Sequence, residues 1–230
     1  ANTPHMKTWA EKMGGKNVIV IEQGVDSNVM QKLPKDNILM KKLSINSSDQ
    51  IVMYLGSVLS HSGLEVILNS MPNILKKIPN FKLLLVGDGP NLLSLKQQAK
   101  KLGIYEKIIF TGFVPYKEVP KFCSLANLCI NSFRINDMTV KLSPVKIFDF
   151  MSCAKPVLAT PLKGMLHDFP KDSETIIYES LDNFEEKIIS LLQSECLEEI
   201  GERSRKFVKE HFTWEIVAQK MLNEFEKMKN

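Results

Sequence analysis

No stretch of the 230 residues approaches the roughly 18 consecutive apolar residues that a membrane-spanning helix needs, and the polar first residues lack the apolar core of a secretory leader. Cysteine is scarce. Cys123, Cys129, Cys153 and Cys196 show no Cys-x-x-Cys spacing and lie in apolar or helical stretches. That sets aside a disulfide framework and a metal-ligand set, and predicts buried or free thiols of a reducing compartment. No Gly-x-Gly-x-x-Gly follows the first strand and no Gly-x-x-x-x-Gly-Lys-Ser/Thr occurs, so neither a dinucleotide fingerprint nor a phosphate loop is signalled. Strong charge is missing as well. The net charge of +4 suits a site for an anionic ligand or simple solubility, and no nucleic-acid partner is expected from it.

What is present is a globular balance, 44% hydrophobic and 24% charged, enough chain for one large domain or one domain with an appendage. Residues 1–6 read as a cloning scar ending in methionine, which places the start of the ordered protein after them. Residues 8–13 read as the end of a helix that Gly14-Gly15 breaks, and 17–21 as an apolar, β-branched strand. Gly24-Val25-Asp26 is a turn, and 27–50 is polar and linker-like apart from an apolar patch at 38–40. From Ile51 strands and helices alternate. The strands expected are 51–55, 81–86, 107–110, 127–131, 156–160 and 175–178. Helical patterns fall at 64–77, 91–102, 116–124, 181–193, 196–211 and 214–229, and Pro72 is expected to kink or split the first of them. Trp214, Val217, Ala218, Met221, Leu222 and Phe225 form a stripe on the last helix, expected to pack on the core. Alternation of this kind predicts an α/β fold in which a parallel sheet carries helices on both faces.

The pattern turns on residues 142–160. Ser143 is the expected N-cap of a helix and Pro144 its first residue, with Ile147, Phe148 and Met151 on the apolar face. A helix start leaves unpaired N–H groups and a partial positive charge, which suits a phosphate. Asp149 lies further in, where its carboxylate can accept hydrogen bonds from ribose hydroxyls; on this stretch alone an ordinary capped helix with a solvated aspartate is the alternative. Glycines fall directly after strands, at Gly56, Gly87, Gly89 and Gly112. In an open α/β sheet the ligand crevice lies at the carboxyl ends of the strands. Gly56, Asp88-Gly89, Gly112-Phe113, Ser132 and Ser143 are therefore expected to converge on one rim.

The ordered set Gly24-Val25-Asp26, Tyr54-Leu55-Gly56, Leu85-Val86-Gly87-Asp88-Gly89-Pro90, Phe110-Thr111-Gly112-Phe113-Val114-Pro115, the run from Lys146-Ile147-Phe148-Asp149 to Pro156-Val157, and Phe212-Thr213-Trp214 resembles the carboxy-terminal half of GT-B glycosyltransferases of group 1 (family 4). The resemblance covers roughly residues 17–228 and implies one half of a GT-B fold: a Rossmann-like, nucleotide-sugar-binding domain with C-terminal helices at 47–230, after a remnant of the preceding domain and a linker at 7–46. Full enzymes of the family hold their active site between two such domains, the first binding the acceptor and the second the donor. By position, Gly112, Phe113 and Val114 are implied to lie along the base. Asp149 stands for the second glutamate of Glu-x7-Glu, which holds the ribose, and Leu142, Ser143 and Val145 would offer N–H groups to the diphosphate. Gly56, Ser57, Ser62, Gly87, Asp88 and Ser132 complete the implied donor site, with Lys146 and Asp149 as catalytic candidates. The implied donor is a UDP- or GDP-sugar, transferred with retention and without a metal or other cofactor. The acceptor would be a glycan or lipid held by the missing first domain, in polysaccharide or glycoconjugate synthesis. The implied location is cytoplasmic, with peripheral membrane attachment only through the missing half.

The departures bear on chemistry. The family normally has an arginine after the position of Gly56 and a lysine five residues later, which together neutralise the leaving diphosphate; here Ser57 and Ser62 stand there. The first glutamate of Glu-x7-Glu falls on Lys141. Loss of two such cations removes several kcal/mol of transition-state stabilisation unless another group replaces them. Lys141, Lys146, His61 and Arg134 are the candidates. A catalytically degenerate module acting in nucleotide binding or protein interaction is the second reading, and a related nucleotide-sugar epimerase the third.

Overall fold

The computed structural model describes residues 1–229 and the side chains of all of these but 228 and 229. Six strands form one parallel sheet: β1 (Gln50–Leu55), β2 (Phe81–Val86), β3 (Ile108–Gly112), β4 (Leu128–Asn131), β5 (Val157–Ala159) and β6 (Ile177–Tyr178). Their order is β3-β2-β1-β4-β5-β6. The chain builds outward from β1 in one direction, returns, and builds outward in the other. The order therefore reverses between β1 and β4, and in open sheets of this kind ligand crevices lie at the carboxyl ends of the strands.

The sheet is buried on both faces because its central strands are apolar throughout. Along β1, Ile51 and Met53 point into one core while Val52 and Tyr54 point into the other. The second core is closed by α3 (Leu64–Lys77), α4 (Leu92–Lys101) and α8 (Phe184–Leu192). The first is closed by α2 (Asn37–Lys42), α5 (Val119–Leu125), α6 (Val145–Ser152), α7 (Lys163–Asp168) and α9 (Leu197–His211). Phe148 of α6 packs its ring against Phe169 and Phe212, centroid to centroid at 4.9 and 5.3 Å, which fixes the start of α6 at the rim. Two further helices, α1 (Pro4–Lys12) and α10 (Trp214–Lys229), flank this body.

Several expectations change. Residues 1–6, read as a scar, supply the start of α1: Thr3 is buried, caps the helix and donates its hydroxyl to Lys141 O at 3.0 Å. The expected strand 17–21 is irregular, starts with Asn17 at φ +55°, and joins no sheet. Its backbone bonds run to Ala1, whose N–H groups donate to Ile19 O and whose carbonyl accepts from Ile21, and a strand needs a partner strand to become a ladder. The stretch 27–50 is not a solvated linker, since Met30, Met40 and Ile45 are buried in the first core and α2 lies within it. Pro72 neither splits nor ends α3. The turn it weakens is held by Leu64, Ile67, Leu68, Met71 and Ile74, all buried against the sheet. The stripe on α10 is mostly exposed. Val217 is buried, while Trp214, Met221, Leu222 and Phe225 stand 39–55% exposed.

Candidate functional site

A cavity of about 400 Å³ opens at the carboxyl ends of β1, β2 and β3, against the first turn of α6. Its walls are Leu55, Gly56 and Ser57 after β1, Val86, Gly87 and Asp88 after β2, Phe113, Val114 and Tyr116 after β3, Val119 of α5, and Lys146 and Asp149 of α6. Two glycines make the floor by letting neighbouring loops touch. Gly87 has φ +141°, and a Cβ there would stand 2.0 Å from Gly56 O. Gly87 N donates to Gly112 O and Gly56 N to Val86 O, both at 2.9 Å, so the three strand ends are tied together where the cavity begins. Phe113, 81% exposed, stands at the mouth.

Lys146 is the cation of this cavity. The residue is only partly covered, but its ammonium is enclosed, lying 3.9 Å from the centroid of the Tyr54 ring and 4.4 Å from that of Phe133. Ring faces attract a cation without neutralising it. Among the described residues no carboxylate forms an ion pair with Lys146. Burial holds its pKa well below the ordinary lysine range. It sits in the first turn of α6, which no side chain caps, and of the leading N–H groups Ile147 N already donates to Pro144 O at 3.0 Å while those of Val145 and Lys146 precede any intrahelical acceptor. An unpaired cation beside N–H donors at a helix start makes a positive potential that attracts an anion.

Asp149 is the buried carboxyl opposite. The Tyr116 hydroxyl donates to Asp149 Oδ1 at 3.1 Å. Burial pushes the Asp149 pKa up to about 6, and the Tyr116 bond holds it back. Tyr116 in turn is raised by burial, by the Asp149 charge and by the bond it donates. His61, edge-on to Phe133 at 5.1 Å, is lowered by burial and by the Lys146 charge. Among the described residues no three His, Cys, Asp or Glu side chains gather as a metal site would require.

Of the residues singled out in the sequence, Gly56, Ser57, Gly87, Asp88, Phe113, Val114, Lys146 and Asp149 line this one cavity. The others lie elsewhere. Ser62 is buried: its hydroxyl donates to Ser57 O at 3.2 Å and accepts from Tyr54 Oη and Leu59 N, so it holds the loop after β1 from inside. Ser132 is buried and donates to Ser62 O at 2.7 Å. Gly112 ends β3 with φ +69° and serves through its carbonyl bond to Gly87. Leu142 lines a separate groove with Met6, Trp9, Asp137, Met138 and Lys141. Val145 is exposed.

Ser143 is not the N-cap; Pro144 takes that place, and no side chain caps α6. Proline's fixed φ suits the extended cap residue as well as the first helical one, and Ser143 is drawn inward beside Asp168. No hydrogen bond is completed there, since Ser143 Oγ and Asp168 Oδ2 are both buried without a partner. Of the candidate replacement cations, Arg134 is bound to Glu65 at 2.5 Å, Lys141 lies in the other groove, and His61 is held neutral near pH 7 by burial and by the Lys146 charge, which leaves Lys146. Tyr116 went unread in the sequence. Nothing local marks it, because its partner is 33 residues away.

Comparison with known proteins places the chain in a family. Residues 35–211 match the family described as glycosyl transferases group 1. Among curated relatives, a GDP-mannose-dependent α-(1-6)-phosphatidylinositol monomannoside mannosyltransferase of Mycolicibacterium smegmatis is 24% identical over 138 residues, covering 59% of this chain and 36% of the relative. An N-acetyl-α-D-glucosaminyl L-malate synthase of Bacillus anthracis is 26% identical over 213 residues, covering 89% and 52%. This chain thus spans about a third to a half of the length of these two relatives. Among solved structures, Anabaena HepE in complex with UDP superimposes with a TM-score of 0.84 at 18% identity, over 99% of this chain and 63% of that one. The C-terminal domain of a group 1 family protein (LpcC) from Francisella tularensis is covered in full, with 83% of this chain, a TM-score of 0.67 and 19% identity.

Proposed function

This chain belongs to the glycosyl transferases group 1 family, and from that premise we propose that its cavity binds the nucleotide sugar donor of a retaining glycosyltransferase. The observation that carries the reading is the pairing, in one cavity, of an unpaired lysine at a helix start with a buried carboxyl deeper in the same helix. A nucleoside diphosphate has the matching chemistry, an anion at one end and a polyhydroxylated ribose next to it. Lys146 and the leading N–H groups of α6 take the diphosphate. Asp149 takes the ribose, and the base lies along Phe113 and Val114.

In this reading Lys146 supplies the positive charge that Ser57 and Ser62 do not, drawing electrons from the glycosidic bond as the diphosphate leaves. Its partial desolvation favours the role, since an enclosed cation without a counter-ion interacts strongly with an arriving anion. The donor is of UDP or GDP type: the HepE structure holds UDP and the mycobacterial relative is named for GDP-mannose. Residues 47–230 form the donor-binding domain, and residues before them continue from an acceptor-binding domain. The acceptor is a glycan or lipid, as the phosphatidylinositol mannoside of that relative suggests. No described helix is long and apolar enough to cross a membrane, and attachment, where it occurs, belongs to the preceding part of a cytoplasmic enzyme.

Calorimetric titration and thermal shift with UDP, GDP, ADP and their sugars test this. A ligand at about 100 times its dissociation constant stabilises by about 2.7 kcal/mol. One nucleotide is expected to bind, with loss of binding in Asp149→Ala. In Lys146→Ala the diphosphate is expected to weaken at least about tenfold while the parent nucleoside is unaffected. Absence of binding at millimolar nucleotide overturns the reading. Binding without transfer by a longer chain that includes the acceptor-binding part favours the second reading, a degenerate nucleotide-binding module, which Ser57 and Ser62 recommend.

A further inference from the structure

The donor-site reading leaves the Tyr116 hydroxyl without a role. It lines the cavity, it is reached from the turn after β3, and it donates its proton to Asp149 Oδ1 at 3.1 Å across 33 residues of sequence. A phenol that has given its proton away keeps its oxygen as an acceptor. Among the described residues no other hydrogen bond reaches the Asp149 side chain. The cavity wall therefore carries two acceptors side by side, Tyr116 Oη and the second carboxyl oxygen of Asp149, and the bond between them fixes their spacing. The group complementary to two adjacent acceptors is a pair of adjacent donors, and the vicinal diol of a ribose is such a pair.

Resting on the donor-site reading, we propose that Tyr116 and Asp149 form a composite diol clamp, in which Tyr116 orients the carboxyl and itself accepts one of the two ribose hydroxyls. Asp149 is short and reaches the diol with one oxygen; Tyr116 supplies the second acceptor and occupies the other oxygen, so the carboxyl cannot turn away. Recognition of the diol is then shared by two elements, and closing them on one ribose also fixes the turn after β3 against α6.

Titration of the chain with UDP and with GDP, each beside its 2′,3′-dideoxy form, tests the clamp in the wild type and in Tyr116→Phe. The variant removes one oxygen and keeps the ring, so packing is preserved. Tyr116→Phe is expected to weaken the nucleotide that binds about tenfold. Removal of both hydroxyls is expected to weaken wild-type binding about 100-fold and the variant only about tenfold. The acid limb gives a second readout. The charged and titratable groups around the pair are Lys146 on α6, Asp88 on the β2 side of the cavity, and Asp26 and Cys153 near Tyr116. Loss of the Tyr116 bond raises the Asp149 pKa, so binding in the variant is lost at a higher pH on acidification than in the wild type; phosphate protonation is common to both proteins and cancels. Equal dideoxy penalties in the two proteins, or tighter binding by the variant, overturn the clamp while leaving the donor site standing. A wild type that binds neither UDP nor GDP overturns the donor site and the clamp together.

Discussion

At the scale of single residues, the cavity is built from groups held against their own solvation preference. Asp149 is the sharpest case. Its pKa is about 6 in the folded chain against an ordinary carboxyl value of 3.8, because burial disfavours the charge. A raised carboxyl pKa means that the folded state binds more protons than the unfolded one between those values, so stability falls as pH rises from about 4 to about 6 and the loss is constant above. Asp149→Asn is thus expected to raise stability near pH 7 by on the order of 2 kcal/mol, with the gain disappearing below about pH 4, while nucleotide affinity drops. Urea unfolding across that range checks the first part and titration with UDP and GDP the second. A variant no more stable than wild type at neutral pH would remove burial as the cause. Residue identity was partly legible beforehand: Lys146 and Asp149 stand where their spacing in the helix put them. Ser62 was not, because its hydroxyl works inside the loop after β1 and only the fold reveals what it bonds to.

At the scale of elements, strand ends and helix ends do the positioning. The loop after β2 cannot tolerate a side chain at Gly87, whose φ is +141° and whose Cβ would collide with the Gly56 carbonyl. Gly87→Ala is expected to destabilise by at least about 2 kcal/mol and to abolish nucleotide binding, read by thermal melting and calorimetry. The opposite sign is expected at Ala154. It follows α6 with φ +56°, a left-handed conformation that strains any residue with a Cβ, and Ala154→Gly should stabilise by about 0.5–1 kcal/mol despite the greater freedom of glycine when unfolded. Periodicity located β1 to β5 and the helices between them well, since a strand buried on both faces reads as an unbroken apolar run. It could not tell that 17–21 has no neighbour to pair with, or that Pro72 would be carried by the packing of α3. Both depend on elements distant in sequence.

At the scale of the whole molecule, one sheet separates two apolar cores, and each depends on the other through the shared strands. Phe148→Ala, in the aromatic cluster that seats α6, is expected to cost about 3–5 kcal/mol. Leu222→Gln and Phe225→Gln, on the exposed part of α10, should each change stability by less than about 0.5 kcal/mol. Far-ultraviolet dichroism on thermal melting distinguishes the two groups. The architecture, a parallel sheet with a cavity at the carboxyl ends of its strands, was legible from the alternation of strands and helices and from glycines at strand ends. The exposure of α10 was not: an amphipathic stripe has the same spacing whether or not anything lies against it.

The two tryptophans of the chain, Trp9 on α1 and Trp214 at the start of α10, are 47% and 48% exposed, and both stand outside the sheet and its two cores. The optical consequence is that the intrinsic fluorescence of this protein is a report from its flanks. Its emission follows the seating of α1 and α10, while the aromatic side chains at the cavity, Tyr116 and Phe113, stay spectrally quiet beneath it.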